Sequence, residues 1–478
     1  MNKPIAIVSQ QAAASRRPAA NVLTRWPLLG HALRRGYLMT GLRVVVLSLF
    51  GVAVLAGLLA EDARTGLTVL LLWGIFWPLL TSVLTPTLGN AWCGICPHGF
   101  VGKWLNRIGL RRSFPAHLRG VWIGLLSLVL CYWVIAYAMP GALSASTRTT
   151  AWYFLTFSLA AFAFFYVFKD MAWCKHLCPL GRLLATHGKV GVLQIDTDRQ
   201  DCSNCRSFEC ARSCAWHLSP FRFQQRNNMD QCTLCLDCVA ACDSAHLVVR
   251  PPGRALGRNI VGADRDEMWV FLVILAVAGV GVQFLHGLQH TPLKEHLPWN
   301  VAGNWVQGYL PFDAEVFRMG GLFALVLALA LTLATGWWAY RRAARLAGRE
   351  WRETANSLAC ALAPLAIIGL IPHAVMMFAM RNAHALANEA GVLLGQSWQV
   401  QPLAQRGDAW LGWLNLLPYV AIAWTLWLVW QRAGLLVSTH RLQWRVWAYG
   451  SAPVWLYASV MVIKLGAMLW MAPAAHVH

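Results

Sequence analysis

The sequence contains little charge for its length, and this restricts the class of protein. Of its 478 residues only 13% are charged and 58% are hydrophobic, and the mean hydropathy is +0.48. An ordinary soluble domain has about twice that charged fraction. The composition therefore predicts an integral membrane protein.

Nucleotide-binding motifs and membrane carboxylates are also missing. No Gly-x-Gly-x-x-Gly follows a strand-like run, and no P-loop occurs. The 20 Asp and Glu residues are outnumbered by 40 Lys and Arg, and few acidic residues lie in the long apolar runs. Nicotinamide or nucleotide chemistry, and transport coupled to ions through buried carboxylates, therefore have no evident residues.

Nine apolar runs are long enough to cross a bilayer, since a span takes roughly 17–25 residues. They lie near residues 41–60, 67–86, 120–139, 150–168, 268–285, 319–339, 358–380, 410–430 and 452–471. We expect about nine transmembrane helices. The first run starts too late and is too long to be the apolar part of a cleavable signal peptide.

The net charge of +20 is distributed among alternate loops. Arg16, Arg17, Arg25, Arg34 and Arg35 precede the first run, and similar Arg-rich loops follow every second run. By the positive-inside rule, the N-terminus and the segment between the fourth and fifth runs are cytoplasmic, and nine spans place the C-terminus in the periplasm. The charge thus indicates a multi-pass protein of a bacterial inner membrane that contacts lipid headgroups, not nucleic acid.

Eight of the 14 cysteines form two runs in the segment between the fourth and fifth spans. The runs are Cys202-x2-Cys205-x4-Cys210-x3-Cys214 and Cys232-x2-Cys235-x2-Cys238-x3-Cys242. Eight thiolates at such spacings are what two [4Fe–4S] clusters require, and in two-cluster ferredoxins the fourth Cys of a run ligates the other cluster. We therefore expect one cluster on Cys202, Cys205, Cys210 and Cys242, and the other on Cys232, Cys235, Cys238 and Cys214.

Two other interpretations of these runs are weaker. Zinc pairs usually come as two Cys-x-x-Cys halves and not as two full runs of four. A disulfide framework is typical of oxidising compartments, whereas this segment is expected in the cytoplasm.

A second cysteine pattern occurs twice, each time at the end of an apolar run. The two copies are Trp92-Cys93-Gly94-Ile95-Cys96-Pro97 and Trp173-Cys174-Lys175-His176-Leu177-Cys178-Pro179. They indicate an internal repeat of two spans and one cysteine pair. The four thiols could bind a third cluster, bind copper or zinc, or cycle between dithiol and disulfide; alternatively, they only brace the helix ends.

The paired Cys-Pro motifs followed by eight ferredoxin-type cysteines resemble the membrane polyferredoxin family, which includes NapH-, NosR- and CcoG-like proteins. The resemblance covers roughly residues 40–250. Cys-x3-Cys-Pro is the usual pair in that family, so Cys93-x2-Cys96 is one residue shorter. The resemblance implies electron transfer at the membrane in support of a respiratory reductase or oxidase, or of the assembly of its metal centre.

The predicted fold is an all-α polytopic membrane protein with an inserted cytoplasmic ferredoxin-like α+β module that carries two [4Fe–4S] clusters. Four segments are expected: a basic, mostly disordered cytoplasmic arm over residues 1–36, a four-helix membrane domain over 37–190, the two-cluster module over 191–252, and a C-terminal membrane domain of about five helices over 253–478.

One further candidate site lies in the seventh span. His373, Met377, Met380 and His384 recur at a spacing that places them on one helical face, and His286 and His290 lie at the same end of the fifth span. Such side chains could ligate haem b or copper, or form a quinol pocket. Met is also common filler in apolar helices, and packing is the competing interpretation.

The main functional hypothesis is an oxidoreductase component that relays electrons between a quinol or cytoplasmic donor and a reductase or oxidase system. The alternative is an assembly factor that reduces copper and delivers Cu(I) to a respiratory metalloenzyme, because thiolates select Cu(I). A transporter or receptor that uses clusters as a redox sensor is the third possibility.

Overall fold

A computed structural model describes residues 21–60, 62, 66–229, 231–261, 266–405 and 407–470 of the chain. Residues 1–20 of the predicted arm and the C-terminal residues 471–478 lie outside this range. The described part is mostly helical, with one small antiparallel sheet.

Eight helices are long and apolar enough to cross a membrane. They are Tyr37–Leu59, Leu67–Leu88, Thr147–Val167, Glu267–His290, Met319–Ala347, Trp351–Leu393, Ala409–Leu436 and Ala452–Leu469. Each coincides with one of the runs predicted from the sequence, and the chain is a multi-pass membrane protein.

The predicted third span is shorter than the others. It forms the apolar helix Trp122–Ala138, which falls below 18 residues and contains a π-helical turn at Val129–Trp133. At 1.5 Å per residue this helix is about 26 Å long, less than the roughly 30 Å of a hydrocarbon core. The described residues therefore give eight candidate spans and one short apolar helix, instead of nine equal spans.

Shorter helices join the long ones. They are Val22–Arg25, Pro27–Arg34, Trp92–Ile95, Pro97–Ile108, Pro179–His187, Arg199–Ser203, Glu209–Arg212, Phe223–Arg226, Asp237–Ala241, Pro298–Gln307 and His440–Gly450. Two of these, Pro97–Ile108 and Pro179–His187, begin with the proline of a Cys-Pro motif. Proline is well suited to that first position because its fixed φ is helical and its missing N–H would have no helical partner there.

The cysteine-rich segment, residues 193–249, lies between two antiparallel strands. Strand β1 is Leu193–Thr197 and β2 is Ala245–Val249, and Ile195 pairs with Leu247 at the centre. Both of these central side chains are buried in a small core that also contains Cys210 and Cys238. The sheet thus closes the segment and brings its two cysteine runs together.

The N-terminal arm differs from its prediction. Helices Val22–Arg25 and Pro27–Arg34 pack against the cysteine-rich segment, with Leu23 and Leu33 buried in the same core as Leu247. Arg34 also forms an ion pair with Asp243, with an Nη1–Oδ1 distance of 2.6 Å. Residues 22–34 are therefore part of the folded module and not a disordered arm.

The C-terminal membrane helices form the largest core. Helix Glu267–His290 lies at its centre. In an apolar 18-residue stretch of this helix 78% is buried, against 22% in the corresponding stretch of Tyr37–Leu59. Glycines allow close helix approach here: a Cβ at Gly321 would lie 2.0 Å from the carbonyl oxygen of Tyr137. This half of the protein is a tightly packed helical bundle.

Two buried contacts join the cysteine-rich segment to that bundle. Lys189, directly before β1, forms an ion pair with Glu267 at the start of the central helix, and both side chains are buried. Arg432 donates hydrogen bonds to the carbonyl oxygens of Leu256 and Arg258 in the linker that follows β2. The segment is therefore held at both of its ends.

Candidate functional site

The eight cysteines of the cysteine-rich segment come together as two groups of four. The outer group contains Cys202, Cys205, Cys210 and Cys242, and the inner group contains Cys214, Cys232, Cys235 and Cys238. Burial and then the neighbouring thiols of Cys242 and Cys202 raise the pKa of Cys210 to about 11. Burial and then Cys232, Cys235, Cys214 and Cys210 raise the pKa of Cys238. The neighbours of Cys210 and of Cys238 thus come from both runs, and the crossed assignment of ligands to clusters stays a prediction.

The backbone between these cysteines turns unusually tightly. Phe208, Leu234 and Leu236 have φ values of 50°, 50° and 61°, in the left-handed region that bulky residues rarely adopt. Each such residue costs of order 1–3 kcal/mol and is typical of a functional loop. Four converging thiols on a tightly turned loop fit the donor set of a [4Fe–4S] cluster.

The two Cys-Pro motifs have matching geometry. Gly89 and Asp170, each four residues before the first cysteine of its motif, have φ values of 68° and 63°. Cys96 and Cys178 share a φ near −60° (−58° and −59°) and each precedes the proline that starts a helix. The sequence repeat is thus also a repeat of local structure.

The extra residue of the second motif is accommodated in a π turn. Trp92–Ile95 is α-helical, whereas Trp173–Leu177 is π-helical, and the N–H of Cys178 donates to the carbonyl of Trp173 at 2.8 Å. A π turn adds one residue to a helical turn. Cys-x2-Cys and Cys-x3-Cys therefore lead into their following helices in the same way.

The second cysteine of each motif lies at a helix N-terminus. Burial raises the pKa of Cys96, and the N–H groups of Gly99 and His98 oppose that rise. Burial likewise raises the pKa of Cys178 to about 12, again opposed by two N–H groups at the start of its helix. Helix N-termini favour anionic groups, so both positions suit a thiolate ligand.

All four motif cysteines line one cavity of about 340 Å³. Burial and the neighbouring thiols of Cys178, Cys96 and Cys93 raise the pKa of Cys174. The rest of the lining is mostly aromatic or aliphatic and comes from the first spans and the short helix, including Trp73, Phe76, Trp77, Tyr132, Tyr153 and Phe157. We call this space the cysteine cavity.

His98 is a candidate residue of this cavity that was not predicted from the sequence. Its Nε2 lies 2.8 Å from Oγ of Ser158, and its Nδ1 lies 3.8 Å from Sγ of Cys96. Burial lowers the pKa of His98 to about 4, so the ring is neutral at pH 7. The only sequence signal is its place two residues after Cys96.

The inner group lies directly on the first Cys-Pro motif. A Cβ at Gly94, between Cys93 and Cys96, would be 2.6 Å from the carbonyl oxygen of Thr233 and 3.1 Å from Cα of Cys235. Asn90 donates a hydrogen bond to the carbonyl of Cys232 at 3.0 Å. Only glycine permits this approach of the two loops.

The second motif also contacts the inner group, through tryptophans. Trp216, two residues after Cys214, is 4% exposed and packs in one apolar cluster with Trp173 and Cys235. Cys174, Cys178 and Cys214 lie at the edge of the same cluster. The structure therefore places the inner group, and not the outer one, beside the cysteine cavity.

Charged side chains complete this junction. Asp237, between Cys235 and Cys238, forms ion pairs with Arg43 of the first span and with Lys103 of helix Pro97–Ile108. Burial alone would raise the pKa of Asp237, but the charges of Lys103 and Arg43 outweigh it and lower that pKa.

Among the described residues, no group of three or more His, Cys, Asp or Glu side chains forms a site for a single metal ion.

The His and Met side chains of the seventh span do not converge. The π turn Phe378–Asn382 interrupts the helix between Met377 and His384, so their helical spacing is not maintained. Met377 is 36% exposed, while Met380 packs against an apolar cluster around Ala379.

His373 instead contacts His286 of the fifth span. Their rings stack with centroids 5.4 Å apart and an interplanar angle of 26°. The prediction of a haem, copper or quinol site at these residues stays a prediction. Nδ1 of His384 is buried without a hydrogen-bond partner among the described residues.

Comparison with protein families identifies the two repeats. A family described as "4Fe-4S binding domain" matches residues 69–115 and 150–193. Each matched segment contains one Cys-Pro motif together with the span before it. No solved structure matches the chain.

Curated relatives match over about a quarter to a half of the chain. "Putative electron transport protein YccM" of Escherichia coli K12 is 24% identical over 27% of this chain and 36% of its own length. "Ferredoxin-type protein NapH" of the same organism is 26% identical over 37% of this chain and 66% of its own length. "Regulatory protein NosR" of Pseudomonas aeruginosa PAO1 is 26% identical over 45% of this chain and 33% of its own length.

These relatives, the matched 4Fe–4S segments and the apolar helices agree with the resemblance inferred from the cysteine motifs. The chain is therefore similar to the membrane polyferredoxin family in two 4Fe–4S segments and in its apolar helices, and its relatives include ferredoxin-type and electron transport proteins.

Proposed function

We propose that the chain relays electrons through three adjacent stations: the outer cysteine group, the inner group and the cysteine cavity. Each cysteine group would hold one [4Fe–4S] cluster, which accepts and passes single electrons when bound. The observation that carries this proposal is the contact between the inner-group loop and Gly94 of the first Cys-Pro motif. In this proposal the inner group passes electrons between the outer group and the cavity.

The cavity is proposed to hold a third iron–sulfur centre on Cys93, Cys96, Cys174 and Cys178. The donors are four mutually close thiols, two of them at helix N-termini that stabilise thiolate. The name of the family matched by both repeats supports iron and sulfur at this position.

A cavity of this size and apolar lining also suits a quinol headgroup beside the metal centre. His98 is neutral at pH 7 and is positioned to accept a hydrogen bond from a quinol hydroxyl. In this proposal the reaction partner is a respiratory reductase or oxidase system, by analogy with the ferredoxin-type relative NapH.

Copper handling is the competing function. Four soft thiols in an apolar cavity favour Cu(I) chemically, and an assembly factor for a copper enzyme would need such a site. The match of both repeats to a 4Fe-4S binding domain favours a cluster instead.

The test is metal analysis of the purified protein and of the double variant Cys174→Ser/Cys178→Ser, with Cys131→Ser/Cys360→Ser as a control that changes two cysteines outside all three stations. We expect the first variant to lose about four iron atoms per chain and to lose reduction by a quinol analogue, while the control retains both.

Two other outcomes would contradict this assignment. Stoichiometric copper that only the first variant loses would favour the assembly function. Unchanged iron and unchanged reduction in that variant would leave the Cys-Pro motifs as structural turns and the relay with two stations.

We also propose that the cysteine-rich segment faces the cytoplasm, because the Arg-rich loops favour that side. A reporter fused after residue 250 should then be cytoplasmic. With nine spans a reporter after residue 478 is periplasmic. A cytoplasmic reading at that position alone would mean that one of the spans after residue 250 does not cross the membrane. If helix Trp122–Ala138 does not cross, the reporter after residue 250 should also change to a periplasmic reading.

A further inference from the structure

Three charged side chains meet where the inner cysteine group contacts the membrane helices. Asp237 lies in the inner-group loop, Arg43 lies in helix Tyr37–Leu59, and Lys103 lies in the helix that follows the first Cys-Pro motif. Nη2 of Arg43 is 3.0 Å from Oδ1 of Asp237, and Nζ of Lys103 pairs with Oδ2. We call Arg43, Asp237 and Lys103 the charged triad.

Arg43 contacts both stations at once. Its Nε donates to the carbonyl of Gly94 at 3.0 Å, and its Nη2 donates to the carbonyl of Cys235 at 2.9 Å. Its side chain is only 9% exposed. One guanidinium therefore bridges the backbone of the first Cys-Pro motif and the backbone of the inner group.

Lys103 and Asp237 are similarly enclosed. Their side chains are 17% and 27% exposed, and the ammonium of Lys103 lies 5.4 Å from the ring centre of Trp216. Charges in such surroundings interact more strongly than charges in water, because the effective dielectric constant is lower. Removal of one of these charges therefore changes the electrostatic potential at the neighbouring thiolates.

We propose that the charged triad holds the inner cysteine group on the cysteine cavity and adjusts how readily the inner cluster takes up an electron. This inference rests on the proposed function, because it requires a cluster in the inner group. Asp237 ligates nothing in this account and is a positioning residue.

The sign of each contribution follows from Coulomb's law. The carboxylate of Asp237 opposes the arrival of an electron, whereas the cations Arg43 and Lys103 favour it. Removal of the carboxylate should therefore raise the reduction potential of the inner cluster, and removal of either cation should lower it. A role confined to packing would not produce shifts of opposite sign.

The experiment is an EPR-monitored redox titration of full-length protein in detergent, for wild type, Asp237→Asn, Lys103→Met and the double variant. We expect an upward shift for Asp237→Asn, a downward shift for Lys103→Met and a smaller net shift for the pair. Asp243→Asn is the matched control. Asp243 follows Cys242, pairs with Arg34 and is fully exposed, so its removal should leave the inner-cluster potential unchanged.

The iron content of each variant distinguishes failure of the proposed function from failure of the proposal about the charged triad. If wild type lacks inner-group iron, the proposed function itself is wrong. If iron is retained and the potentials do not move, or move in the same direction, the charged triad has only a structural role. Should Asp237→Asn lose its iron, Lys103→Met and Arg43→Gln still test the sign, and an upward shift in either would overturn the proposal.

Discussion

The outer and inner cysteine groups each contain four cysteines, but the residues around them differ in their exposure to solvent. Around Cys205, all the remaining residues from 203 to 209 are exposed to solvent. Around Cys235, the residues Thr233, Leu234 and Leu236 are buried. The outer group faces solvent, and the inner group faces the membrane helices.

The contrast extends to the thiols themselves. The N–H of Phe208 and the hydroxyl of Ser207 lower the pKa of Cys205, whereas burial raises the pKa of Cys232 to about 12. A group stabilised by solvent-facing hydrogen bonds suits exchange with a soluble partner. A desolvated group suits transfer to a fixed neighbour. The difference gives the proposed relay one solvent-exposed end and one buried end.

The largest expected effect tests whether the two groups are crossed. Cys214→Ser should remove the inner cluster and leave the outer one, and Cys242→Ser should do the reverse. Each of these residues is the last cysteine of its own run but is grouped with the first three cysteines of the other run. About half of the iron of this segment should be lost in each variant. The EPR signal lost in Cys214→Ser should be the one that is also lost in Cys235→Ser, a variant of the second run. If Cys214→Ser instead loses the signal that Cys205→Ser loses, each run binds its own cluster.

The next prediction concerns what covers the outer group. Leu33 of the N-terminal helix is 5% exposed and packs in the core that contains Cys210. Leu33→Ala should lower the stability of this module by about 2–5 kcal/mol through the cavity that it leaves. Leu28→Ala is the control, since Leu28 is 89% exposed.

The measurement for this pair is the temperature at which cluster absorbance is lost. Leu33→Ala should lower it, and Leu28→Ala should not. Equal behaviour of the two variants would mean that the N-terminal helices do not belong to the folded module.

A smaller effect is expected at the contact of the inner group with the cavity. Gly94→Ala places a methyl group 2.6 Å from the carbonyl of Thr233, so one loop must move, at a cost of about 1–3 kcal/mol. We expect the quinol-dependent reduction of the inner cluster to slow while its iron is retained. Gly41→Ala is the control, because nothing lies within 4 Å of a Cβ there. An unchanged rate in Gly94→Ala would show that this contact does not carry electrons.

The smallest expected effect needs no mutation. An iron chelator or a hydrophilic oxidant should attack the outer cluster of the wild-type protein several-fold faster than the inner one, because exposed ligands are reached without local opening. EPR-resolved loss of the two signals measures both rates in one sample. Equal rates would mean that both groups are reached through the same opening motion.

The sequence predicted those features that depend on local spacing. Cysteine runs indicate how many ligands can converge, and long apolar runs indicate which segments can cross the membrane. The number of cysteine ligands and the candidate spans could therefore be inferred from the sequence. The crossed grouping follows from a known ferredoxin pattern and stays a prediction, and the structure has Cys214 beside Cys238.

Features that depend on distant or isolated residues could not be predicted. Leu23 and Leu33 belong to helices of only four and eight residues, which are too short to show a clear apolar period, and this is why the arm was expected to be disordered. Arg43 and Asp237 are 194 positions apart, and nothing local marks them as partners. The prediction that His373, Met377, Met380 and His384 share one face assumed a regular α-helix in the seventh span, whereas the structure has a π turn at Phe378–Asn382.

The π turn at Trp173–Leu177 has a consequence for how such proteins are found. Because one inserted residue is absorbed within the turn, Cys178 keeps the same backbone conformation as Cys96 and starts its helix in the same way. The spacing between the two thiols of a motif is therefore free to vary by one residue without disturbing the helices on either side. A search that fixes this spacing would overlook half of the repeat, whereas one anchored on the tryptophan before and the proline after would retain both copies.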